Sequence, residues 1–170
     1  MSDAKKLKRK ALIKEYLSYV VIIILVILFK KFFFSPIKVN GESMMNTLHD
    51  GDIMILNIIG YKTSGVDRFD IVVVREGREY IIKRVIGLPG ETVKYQNNQL
   101  YINGKKVKNK YGIGKTEDFT IKVPKGKYFV LGDNRENSMD SRYFGSFKKK
   151  DILGKTKLTL FPFSRIGNKK

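Results

Sequence analysis

Ser43 and Lys83 are the two side chains of this sequence whose surroundings point to covalent chemistry. Ser43 lies in residues 41–52, GESMMNTLHDGD, directly before the apolar pair Met44 and Met45, a setting that presents a hydroxyl at a loop tip against a greasy surface. Loop serines are ordinarily turn or cap residues, so this segment alone does not make Ser43 a nucleophile. Lys83 lies in residues 79–91, EYIIKRVIGLPGE, flanked by Ile81, Ile82, Val85 and Ile86. An ordinary lysine, with a pKa near 10.4, is about 0.4% neutral at pH 8, whereas desolvation by apolar neighbours lowers the pKa and frees the amine to act as a base. Each unit of that lowering costs roughly 1.4 kcal/mol, so a fold keeps a buried lysine only where something offsets the cost. The plainer alternative is an alternating strand in which Lys83 or its neighbour Arg84 faces water.

Composition limits the partners Ser43 can have. The chain has no cysteine and a single histidine, His49. Cysteine proteases, CxxC redox centres and disulfide scaffolds are excluded, and a zinc site would have to be built from His49 and carboxylates, so metal catalysis is set aside. His49 is also the one candidate base for a Ser-His-Asp arrangement, and its TLHDGD setting reads as a polar turn. Lysine is the other base that partners serine, which leaves Ser43 with Lys83 as the economical dyad. A third segment, residues 132–145, GDNRENSMDSRYFG, also carries more polar chemistry than a turn requires.

The elements that must position these segments read as strands. From Ile37 onward, short apolar or alternating runs such as DIVVVREG, TVKYQNN, QLYINGKKV and KYFVLGD are separated by Gly, Asn, Asp and Pro. Asn97 and Asn98, and again Asn103 and Gly104, sit between such runs as hairpin turns. The fold class expected is mostly β, a small barrel-like or sandwich-like domain of antiparallel strands, with residues 105–117 as a polar surface loop. At 170 residues, the chain has room for one core of roughly 130 residues and an appendage.

That appendage is amino-terminal. Residues 5–14, KKLKRKALIK, are strongly basic, and residues 19–29 are apolar apart from Tyr19. Extended to residues 17–34, with Lys30 and Lys31 snorkelling beside Phe32, Phe33 and Phe34, the run reaches roughly 27 Å, enough for a short transmembrane helix. Lysines and phenylalanines stand at its exit where a cleavable signal would have small residues, so an uncleaved signal anchor is expected. The excess of basic residues before the span favours a cytoplasmic amino terminus. The expected organisation is a basic cytoplasmic tail at 1–16, a transmembrane anchor at 17–34 and an extracytoplasmic β-rich domain at 35–170. The formal charge of +18 requires a polyanion nearby, and both nucleic acid and anionic lipid qualify.

Together the three polar segments, the DIVVV strand and the closing FPFSRIG resemble the bacterial type I signal peptidases, membrane-anchored serine proteases that remove signal peptides from exported proteins. The resemblance covers residues 16–167 and, through Gly41, is to the branch common in Gram-positive bacteria. It implies a monomeric, single-pass protein of the cell membrane that acts on exported preproteins at A-x-A-like sites through an acyl-enzyme, with no metal or cofactor. On this resemblance, membrane lipids and not nucleic acid are the polyanionic neighbours. Position by position it makes Ser43 the nucleophile, Lys83 the general base and Ser138 the hydroxyl that hydrogen-bonds and orients the lysine amine. Asp140 and Arg142 match the family's charged pair, and Gly132, Asp133, Asn134 and Arg135 its GDNR turn. Val39 and Ile82 match the lining of shallow pockets for small side chains, with Met44 bordering the same groove. The oxyanion donor expected is the Ser43 N–H, since Gly41 stands where some members carry a serine hydroxyl. Asn46 stands where the family usually has proline, which implies a looser serine loop. Two other classes remain beside this one: a membrane-anchored binding protein that uses its basic surface without catalysis, and a Ser-Lys autoprotease of the SOS-repressor type. The latter lacks a helix-turn-helix in residues 1–36.

Overall fold

The structure is a computed structural model that describes residues 3–168 except 34, 59, 60, 62 and 63. Helix α1 (Asp3–Phe33) precedes twelve strands: β1 (Ser35–Lys38), β2 (Ile53–Asn57), β3 (Ile71–Glu76), β4 (Glu79–Gly87), β5 (Thr92–Gln96), β6 (Gln99–Ile102), β7 (Lys105–Val107), β8 (Phe119–Lys122), β9 (Lys127–Leu131), β10 (Phe147–Lys148), β11 (Ile152–Phe161) and β12 (Gly167–Asn168). A short helix, α2 (Ser141–Phe144), lies between β9 and β10.

The strands form two antiparallel sheets. The larger runs β1-β2-β11-β3-β4-β9-β10, with β12 also paired to β11, and the smaller runs β7-β6-β5-β8. The mostly β, antiparallel reading holds, but the sheet is not a closed barrel: β1 and the two-residue β10 end its strand order without pairing to each other. Both expected hairpin turns are present. Asn97 and Asn98 have φ of 50° and 59°, and Asn103 and Gly104 have φ of 50° and 79°, the left-handed pair that matches the strands' own twist.

The core is apolar and β-branched where strands are interior. Ile86, Phe129 and Leu131 from β4 and β9 pack against Val93, Tyr95, Leu100 and Ile102 of the small sheet. Val72, Val74, Val85 and Val130 fill a second cluster. A third, Val39, Met44, Leu48, Met54 and Ile71, anchors the long β1–β2 connection. The expected surface loop at 105–117 is corrected: β7 takes its first residues, Thr116 is 2% exposed, and Ile113 bridges to Asn134.

Helix α1 starts at Asp3, well before the expected span at residue 17. Among the described residues no helix is long and apolar enough to cross a membrane. The side chains of the far half of the expected span, from Leu28 to Phe34, lie outside the described residues, and the apolar part that remains, Leu17 to Ile27, is eleven residues, roughly 16 Å. Every large apolar side chain given for that part is exposed, from Leu17 at 59% to Ile27 at 58%, so the helix does not belong to the β core.

Candidate active site

Residues 39–52 connect β1 to β2 and carry the serine. The connection is closed at its base, where Val39 N–H donates to the Asp52 carbonyl at 2.8 Å and Gly51 N–H to the Val39 carbonyl at 2.9 Å. Near its tip, Met45 N–H bonds the Glu42 carbonyl, and Thr47 and Leu48 N–H both bond that of Met44. Met44 and Leu48 are 1% and 0% exposed, so the loop is pinned by its apolar side, with Ser43 left half-buried at the rim. Asn46 adopts φ of +76°. Asparagine tolerates that left-handed conformation and proline, locked near −65°, does not. The loop is therefore held by local hydrogen bonds and core contacts around Asn46, not loosened by it.

Lys83 comes from β4. Its Nζ donates to Ser43 Oγ at 2.7 Å across forty positions of sequence. The lysine is 4% exposed, and burial lowers its pKa from 10.5 to about 8, against the opposing pull of the Asp140 and Asp133 carboxylates. Strand alternation predicts that one of Lys83 and Arg84 faces water, yet Arg84 is 0% exposed as well. Strand β4 is interior, with β3 along one edge and β9 along the other, and loops cover both side chains.

Arg84 is fully paired. Its Nε and Nη2 bond the Asp133 carboxylate at 2.8 and 2.6 Å, Nη1 bonds the Phe69 carbonyl at 2.8 Å, and the ring of Tyr111 lies 3.8 Å from its guanidinium carbon. Thr47 Oγ1, on the serine loop, donates to Asp133 at 2.6 Å and accepts from Arg84 at 3.1 Å. Such a buried pair is strongly destabilising to break, because the survivor keeps its charge in a low dielectric. In the sequence Arg84 stands only as the possible water-facing neighbour of Lys83, and nothing marks Thr47 or Tyr111. A threonine four residues after the serine and a tyrosine in a lysine-rich loop carry no pattern of their own.

The turn at residues 132–135 clamps the serine loop from the other side. Asn134 N–H donates to the Ser43 carbonyl at 3.0 Å, and its side-chain amide reaches the Glu42 carbonyl at 3.3 Å. Gly132 fits because it has no side chain: a Cβ there would stand 2.2 Å from Ser138 Oγ and 2.5 Å from the Ser43 carbonyl oxygen. Asp140 pairs with Arg142 through two contacts of 2.9 Å and accepts from Gly132 N–H at 3.0 Å, bracing the same turn.

Two expectations fare differently. Ser138 does lie at the site, but its buried Oγ has no hydrogen-bond partner, so it does not hold the lysine amine in this arrangement. Val39, Met44 and Ile82 come together in one apolar cluster, but Val39 and Met44 are 2% and 1% exposed and line no open groove, whereas Ile82 is half-buried. Neither the cleft of about 650 Å³ nor that of about 540 Å³ is lined by Ser43 or Lys83. Among the described residues no group of three or more His, Asp or Glu side chains is placed to hold a metal ion.

The arrangement can do acyl transfer: a hydroxyl in contact with an amine whose pKa lies within reach of neutral pH, beside a backbone N–H, that of Ser43, without a partner among the described residues. Comparison with known proteins agrees in kind. The model of the family described as signal peptidase, peptidase S26 matches residues 12–161. Signal peptidase I of Bacillus amyloliquefaciens is 43% identical over 97% of each chain. Signal peptidase IB of Staphylococcus aureus is 40% identical over 93% of this chain and 94% of its own. A crystal structure of a signal peptidase I from Enterococcus faecalis aligns at 42% identity over 53% of this chain and 95% of that one, with a TM-score of 0.49.

Proposed function

The chain belongs to the signal peptidase, peptidase S26 family of serine endopeptidases, and from that premise we propose that it cleaves signal peptides from exported preproteins with Ser43 as nucleophile and Lys83 as general base. The observation that carries the reading is the 2.7 Å contact between Ser43 Oγ and a lysine amine that is 4% exposed. With a pKa of about 8, roughly a tenth of the amines are neutral at pH 7, against less than about 0.1% for an ordinary lysine.

The neutral amine accepts the Ser43 proton as Oγ attacks the scissile carbonyl. The Ser43 N–H donates to the oxyanion, and the protonated amine returns its proton to the departing amino group. A water that gives its proton to Lys83 then attacks the ester, and Ser43 Oγ takes that proton back as the acid leaves. Asp140 and Asp133 stabilise the transient ammonium, which is why they oppose the lowering of its pKa. Ser138 Oγ, buried without a partner, serves as the second partner of the amine when Ser43 is acylated. The half-buried Ile82 is the member of the apolar cluster that meets the small side chains of an A-x-A-like site, with Val39 and Met44 packed behind it as support. The exposed apolar run from Leu17 to Ile27, behind a basic amino terminus, supports a membrane anchor with the β domain outside the cell.

The test is cleavage in detergent of a preprotein carrying an A-x-A site, with Ser43→Ala and Lys83→Ala alongside the native chain from pH 6 to 10. Product from the native chain alone is expected. Normal cleavage by either variant would remove the dyad from the mechanism.

A further inference from the structure

Among the described residues Arg135 is a buried cation with no ion-pair partner. Its side chain is 2% exposed; Nε donates to the Gly132 carbonyl at 2.9 Å and Nη1 to the Tyr95 hydroxyl, but the buried Nη2 has no hydrogen-bond partner. Among the described residues no carboxylate forms an ion pair with it, in contrast to Arg84 with Asp133 and Arg142 with Asp140. An uncompensated charge of this kind is expensive to keep, and the dipoles of one carbonyl and one phenol do not replace an anion.

The guanidinium forms part of the wall of a cleft of about 650 Å³ beside β7. Tyr95 and Gly112 belong to the same wall, and a Cβ on Gly112 would stand 2.6 Å from Nη2, so the glycine is what lets the charge sit there. Lys106 and Lys108, both exposed, also line the cleft, and no carboxylate is among its lining residues. Asn109 donates to the Tyr95 hydroxyl at 2.7 Å and so fixes the phenol that Arg135 contacts. On its other side Arg135 borders a second cleft lined by Glu117, Asp118 and Glu136, but the Glu136 carboxylate accepts from Lys115 N–H at 2.9 Å, Asp118 accepts from Asn97 N–H at 2.8 Å, and none of the three forms an ion pair with the arginine.

We infer that this cleft binds a phosphate-class oxyanion through Lys106, Lys108 and Arg135. Three cations lining one cleft that has no carboxylate in its wall are the arrangement such an anion completes, and the occupant supplies the countercharge that Arg135 lacks. The site adjoins the catalytic turn. Arg135 N–H bonds the Ile113 carbonyl at 3.0 Å while its neighbour Asn134 N–H bonds the Ser43 carbonyl at 3.0 Å, so an anion that steadies Arg135 also steadies the clamp on the serine loop. The inference is independent of the peptidase reading, since its readout is binding.

Two sources share this chemistry: a soluble phosphorylated molecule and the headgroup of an anionic lipid. The full chain in neutral detergent is titrated with pyrophosphate by calorimetry, and separately its affinity is measured for phosphatidylcholine vesicles with and without phosphatidylglycerol. The variant is Lys106→Gln with Lys108→Gln, two exposed residues outside the catalytic machinery; the control, Lys148→Gln with Lys150→Gln, removes the same charge elsewhere. Saturable binding with a dissociation constant below about 1 mM, weakened about tenfold by the first pair and less than about twofold by the control, is expected for at least one probe. Pyrophosphate binding identifies a soluble ligand, and a response confined to phosphatidylglycerol identifies the lipid. Saturation by neither probe, or equal weakening by both pairs, overturns the inference.

Discussion

Replacing Lys83 by methionine separates the cost of the buried amine from its use. The lysine is 4% exposed and its pKa falls from 10.5 to about 8, and that difference, at roughly 1.4 kcal/mol per pH unit, is about 3 kcal/mol. Below pH 8 the folded chain must protonate the amine in a dry site, so the whole penalty is present. Between pH 8 and 10.5 the unfolded chain binds a proton that the folded chain does not, and stability rises with pH. Above 10.5 both states are neutral and the penalty is gone. Methionine fills a similar volume without titrating, but it forfeits the hydrogen bond to Ser43, worth about 1 kcal/mol. Lys83→Met is therefore expected to be inactive yet about 2 kcal/mol more stable than the native chain at pH 7, with the order reversed near pH 10.5. Urea unfolding of both full-length proteins in detergent, followed by tyrosine fluorescence because the chain has no tryptophan, measures the difference at each pH. A gap that does not change with pH, or a methionine variant less stable at pH 7, would refute the reasoning.

The same site supports three further tests. Because Asp140 raises the Lys83 pKa, Asp140→Asn moves the acidic limb of the pH–kcat/KM profile to lower pH, while the lost pairing with Arg142 lowers the maximum; an unmoved limb contradicts the electrostatic assignment. Asn46→Pro restores the residue the family usually carries at that place but cannot keep φ at +76°; it is expected to destabilise by about 2 kcal/mol, whereas Asn46→Gly stays within about 0.5 kcal/mol, both read by urea unfolding. Gly132→Ala drives a methyl toward the Ser43 carbonyl oxygen and Ser138 Oγ, and peptidase assays are expected to show kcat reduced about a hundredfold.

Composition and local patterning alone establish the types of the reacting groups, the order of the three polar segments and the places where the chain turns. With no cysteine and only His49 as histidine, a serine nucleophile had few bases to choose from, and this is a matter of composition alone. Asn97, Asn98, Asn103 and Gly104 identify their hairpins because positive φ is a local property of those residues. Whether Lys83 faces water was not local. Period-two alternation predicts one exposed residue of the pair Lys83 and Arg84, and both are buried because β3, β9, the serine loop and the 132–135 turn enclose this part of β4, whose first residues Glu79 and Tyr80 stay exposed. The same enclosure brings Lys83 Nζ to 2.7 Å from Ser43 and lowers its pKa to about 8, since desolvation depends on everything packed around the amine and not on its neighbours in sequence. Tertiary packing also decided that residues 108–116, which read as a polar surface loop, lie over Arg84 and Arg135, and that Val39 and Met44 belong to the core.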